Sequence, residues 1–161
     1  MKRSSIIFLQ IVIVLIAIGS FTLMLWEPHL EGRNANATVL QIYFNDPFLA
    51  YAYSASIAFF VALYQAFKLL GYARQNKMFS QLAVKALGKI KYCALILVAF
   101  IVGAEGYLVI VQRKVEEDIA GGVMMGVILI FVSVVVATAA AVFEQLLQSA
   151  VDMKSENELT I

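Results

Sequence analysis

The 161 residues include one cysteine, one histidine, one tryptophan and two prolines. A lone Cys93 excludes an intramolecular disulfide and leaves the redox compartment unread. A lone His29, set in a loop, gives no basis for a metal site or a histidine-based triad. His-Glu-x-x-His, a nucleophile elbow and a phosphate-cradling glycine loop are also missing. The chain therefore offers no catalytic residues, cofactor or metal, and an enzyme is not expected. Charge is sparse too, at 14% of residues, and between residues 68 and 91 there is no acid at all.

Apolar residues fill the space that charge leaves. They make up 62% of the chain, and mean hydropathy is +0.86. Soluble domains average roughly 45–50% apolar residues. Four runs, at residues 6–26, 47–70, 92–111 and 122–143, reach or approach the ~20 residues that cross a bilayer. The expected fold is all-α: a four-transmembrane-helix bundle forming a single membrane domain over residues 1–161, with no soluble module. The first run is too long for a signal-peptide core and ends at Trp26, an interface anchor, so an uncleaved span is expected. The connection 27–46 is the longer outer loop, with residues 38–44 (TVLQIYF) reading as a short strand or interfacial segment.

The basic stretch 68–91 orients these spans. It carries Lys68, Arg74, Lys77, Lys85, Lys89 and Lys91, and short basic loops beside spans stay in the cytoplasm. With both termini inside, nine of the twelve basic residues are cytoplasmic, and Arg33, Arg113 and Lys114 lie outside. Such a chain is expected in the inner (plasma) membrane. Within the stretch, Ser80 reads as a helix N-cap, with Phe79 and Val84 as a hydrophobic staple. Phe79, Leu82, Ala83, Ala86, Leu87 and Ile90 share one helical face, and Lys85, Lys89 and Gln81 another. This predicts a short amphipathic helix at the membrane surface between spans two and three; a plain solvated connector is the alternative.

One acid lies well inside a span: Glu105. A carboxylate in hydrocarbon is costly, and such residues face the bundle and pair. Residues at equal depth on the neighbouring spans are Ser20 and Tyr53, either of which offers a hydroxyl. The site reads either as proton- or ligand-responsive, or as structural, with the carboxylate bonded in the bundle or reaching Arg113 and Lys114. Gln10 and Gln65 are placed to bond across helices near the cytoplasmic ends. Gly122-x-x-x-Gly126 is a small-xxx-small pattern that admits a close helix. Glu144, at the cytoplasmic exit of the last span, reads as a hydrated acid.

The tail, 144–161, continues the fourth helix by two or three turns and is acidic, with Glu144, Asp152, Glu156 and Glu158 against Lys154. Either it folds back on the basic loop, or Lys77, Lys85, Lys89 and Lys91 sit on anionic lipid headgroups and leave the tail, including Glu156, Asn157 and Glu158, for a partner.

Four spans in about 160 residues, the Phe79-Ser80…Leu87…Ile90 loop helix and the closing Glu156-Asn157-Glu158-Leu159-Thr160-Ile161 resemble a bacterial membrane family of unknown function, domain of unknown function 2975. The resemblance implies an inner-membrane protein, often encoded beside a small helix-turn-helix regulator, and transfers no functional residues. The expectation is a non-enzymatic regulatory or interaction protein with a cytoplasmic protein partner, a transcriptional regulator by family analogy, and no direct nucleic-acid binding. The alternative is a small homo-oligomeric transporter or channel that uses Glu105.

Overall fold

The computed structural model of the chain describes residues 3–30, 47–111 and 120–159. They form four helices: α1 (Arg3–Leu30), α2 (Pro47–Arg74), α3 (Gln81–Val111) and α4 (Ala120–Leu159). All four are long and apolar enough to cross a membrane. The helix is the form that meets every backbone hydrogen bond within one segment, as hydrocarbon demands. The expected strand at 38–44 lies outside the described residues.

Helix ends follow local chemistry. Pro47 opens α2, where its missing N–H costs nothing. At the other end Asn76 takes the left-handed conformation, with φ 57°. The Lys77 N–H donates to the Tyr72 carbonyl at 2.8 Å and the Asn76 N–H to the Ala73 carbonyl at 3.2 Å. That is a Schellman ending with asparagine in the usual glycine place. Ser80 then starts α3: its carbonyl accepts from Ala83 and Val84, and its hydroxyl donates to the Lys77 carbonyl at 2.7 Å. Of the two residues of the expected staple, Phe79 is 60% exposed and Val84 is buried.

Two boundaries differ from expectation. The separate surface helix is instead the first turns of α3, which runs unbroken for 31 residues. Both prolines, Pro28 and Pro47, precede it, and Gly88 alone does not break a helix held by packing on both sides. α4 likewise continues to Leu159 over 40 residues, further than the two or three turns expected past Phe143.

Packing runs in chain order: α1 on α2, α2 on α3, and α3 most extensively on α4. Among the described residues the buried apolar ones are Ile6, Ala83, Val84, Ala86, Leu87, Ile90, Cys93, Ala94, Ala137 and Ala140. All but Ile6 belong to α3 or α4, and half are alanine. Small side chains let backbones approach, the usual basis of helix adhesion where lipid competes with every apolar contact. Large side chains such as Phe8, Leu15, Phe131 and Ile110 point outward, as lipid-facing residues do.

Candidate functional site

Glu105 projects from α3 onto α4. Its carboxylate fills the space a Cβ at Gly126 would take, so the glycine is what admits it. Its Oε2 is buried and has no hydrogen-bond partner among the described residues. One turn away, a Cβ on Gly122 would meet Leu108 at 3.9 Å. The Gly122-x-x-x-Gly126 pattern is thus occupied by α3 of the same chain.

The hydroxyls matched to Glu105 by depth are not brought to it. Tyr53 donates to the Met24 carbonyl at 3.1 Å and ties α2 to α1. Ser20 is half-buried on α1, a helix that packs on α2 and not extensively on α3. Arg113 and Lys114 lie outside the described residues. Depth along a helix follows from counting, whereas the direction a side chain takes around it depends on which neighbour packs where.

The opposite end of the α3–α4 pair repeats the device with the roles exchanged. Here Glu144 of α4 lies over Gly88 of α3, 2.7 Å from where a Cβ would stand. The Lys91 ammonium donates to Glu144 Oε2 at 2.7 Å, both side chains being 24% exposed. Gly88 to Glu105 is 17 residues and Gly126 to Glu144 is 18, or ~26 Å along either helix. Among the described residues Glu144 has a cation beside it and Glu105 has none. Glu144 is therefore not the hydrated acid expected from its place at the end of the span, and Lys91 faces it and not lipid headgroups.

A second polar link joins α2 to α3. The Tyr51 hydroxyl donates to the Phe100 carbonyl at 2.8 Å and sits where a Cβ on Gly103 would be. Its ring lies 4.9 Å from that of Phe100, and Phe48 stacks on Tyr107 at 6.2 Å. Pro47, Phe48, Tyr51, Gly103, Ala104 and Tyr107 line a cavity of about 410 Å³. Gln10, buried on α1, donates its amide to the Phe67 carbonyl at 3.3 Å, the expected bond across helices. Gln65 is buried too.

Of the basic residues singled out, Lys77, Lys85 and Lys89 are exposed, while Lys91 turns to Glu144. Lys68 lies over the Tyr64 ring at 5.3 Å. On the acidic side Asp152 accepts from the Gln148 amide at 2.7 Å, and Glu156 is exposed. The side chains of Asn157 and Glu158 lie outside the description. Among the described residues no group of three His, Cys, Asp or Glu could hold a metal ion.

A family described as "Protein of unknown function (DUF2975)" matches residues 32–161. The uncharacterized membrane protein YoaS of Bacillus subtilis (strain 168) is 41% identical over 162 residues, covering 100% of both chains. No solved structure matches significantly.

Proposed function

The chain belongs to the DUF2975 family of proteins of unknown function, and we propose that it is a non-enzymatic inner-membrane protein that engages a cytoplasmic protein, a regulator by class. The contact is the acidic extension of α4, beside the basic corner between α2 and α3. Both termini are cytoplasmic in this reading. The length of α4 carries it. Forty helical residues span ~60 Å, against a hydrocarbon core of ~30 Å. A large part of the helix therefore projects; past Glu144, which Lys91 holds, it carries Asp152 and Glu156 against Lys154. An ordered acidic rod is a surface a basic partner can recognise without first ordering a tail.

Affinity capture of the full chain from native membranes tests this. Removing residues 155–161, together with Asp152→Asn, is expected to release a protein that the wild type retains. An unchanged set of co-purified proteins ends the proposal.

The orphaned Glu105 oxygen favours a second reading, an oligomeric transporter or channel. Four helices packed in chain order do not by themselves surround a path, so several copies would be required. Flux in liposomes decides it: equal background rates for wild type and Glu105→Gln exclude it.

A further inference from the structure

The corner between α2 and α3 is fixed at both ends, by the Schellman ending at Asn76 and by the Ser80 hydroxyl on Lys77. Beyond it, Leu82, Lys85, Lys89 and Tyr92 recur at spacings of three and four and so form one stripe on α3. Leu82 is 55% and Tyr92 62% exposed, and both lysines are exposed. Ala83, Val84, Ala86, Leu87 and Ile90 are buried. The stripe therefore belongs to the outer surface of the helix. Arg74, Lys77 and Phe79 extend it around the corner, all exposed.

Arg74, Lys77, Lys85 and Lys89 make no ion pair with an acid among the described residues; Glu144 is held by Lys91. We propose that this stripe binds the headgroups of anionic phospholipids in the adjoining leaflet. Cations alone would suit a protein or a nucleic acid equally. The alternation of lysine with Phe79, Leu82 and Tyr92, on a helix that continues into an apolar span, suits an interface. There the rings and leucine enter the acyl boundary, the lysine stems lie along it, and the ammonium groups meet phosphate. The assignment rests on the reading above for the inward orientation of this end. It gives the basic side to lipid and leaves the acidic rod for the protein partner.

The test uses the full chain purified in detergent and offered equal phosphatidylglycerol and phosphatidylcholine, with retained lipid counted by native mass spectrometry. Wild type is expected to retain phosphatidylglycerol in excess. Each of Lys77→Gln, Lys85→Gln and Lys89→Gln is expected to lower that retention about fivefold, with Lys154→Gln without effect. Circular dichroism checks that the variants stay helical; their exposure makes folding defects unexpected. A triple variant that retains as much phosphatidylglycerol as wild type overturns the proposal, as does a wild type indifferent to headgroup charge. A triple variant that keeps its lipid and loses a co-purified protein also overturns it. Partner capture by the acidic rod is read separately, so either idea can fail alone.

Discussion

The Glu105 carboxylate lies in the space that a side chain on Gly126 would occupy, and its Oε2 is buried without a hydrogen-bond partner among the described residues. An acid that close to a facing backbone fixes how α3 and α4 approach at this end. Gly126→Ala forces the carboxylate to swing aside and is expected to destabilise by about 1–3 kcal/mol, as overpacking does. Adding Glu105→Ala is expected to recover most of that loss, a non-additive pair measured by thermal unfolding in detergent. Additive losses would show that the two residues do not touch.

Glu105→Gln removes the acid and keeps the shape. A buried polar group without a partner costs about 1–3 kcal/mol, and an unpaired charge in a bilayer costs more. The variant is therefore expected to unfold at the same or a higher temperature than wild type. A clear drop would mean that the carboxylate holds a partner in the membrane.

At the other end the Lys91–Glu144 pair is partly shielded, and Glu144 lies over Gly88. Lys91→Met and Glu144→Gln are each expected to lower stability, and the double variant by less than their sum. A double-variant cycle by chemical unfolding reads the coupling. A value indistinguishable from zero would reduce the pair to a solvated contact.

Gly103→Ala would meet the Tyr51 hydroxyl, which donates to the Phe100 carbonyl. Tyr51→Phe alone is expected to lose about 0.5–1.5 kcal/mol, one net hydrogen bond. In the Gly103→Ala background the same change is expected to stabilise, because the clashing oxygen is gone. Thermal unfolding of the four combinations distinguishes this sign reversal from simple addition.

Orientation has its own test. In a Cys93→Ser background, Lys85→Cys is expected to react with an impermeant thiol reagent in inverted vesicles and not in intact cells. Labelling of intact cells would place the basic corner outside and remove the cytoplasmic reading.

The four spans were legible without a structure. Apolar length is a property of the chain alone, and no other packing could hide runs of this size. Helix starts at Pro47 and Ser80 and the bond from Gln10 were legible for the same reason: they depend on local stereochemistry or on one polar group in hydrocarbon. The sequence also marked Glu105 as the acid needing explanation. What faces it was decided only by the tertiary structure. Ser20 and Tyr53 matched it in depth, but the neighbour is Gly126, because rotation about a helix axis is set by packing between α3 and α4. Glu144 read as a hydrated acid until the same packing brought Lys91 to it. Of the apolar face expected over residues 79–90, Ala83, Ala86, Leu87 and Ile90 are buried while Phe79 and Leu82 are exposed, and the buried side meets protein. A period of 3.6 reports that one face is covered, and only the folded chain determines by what.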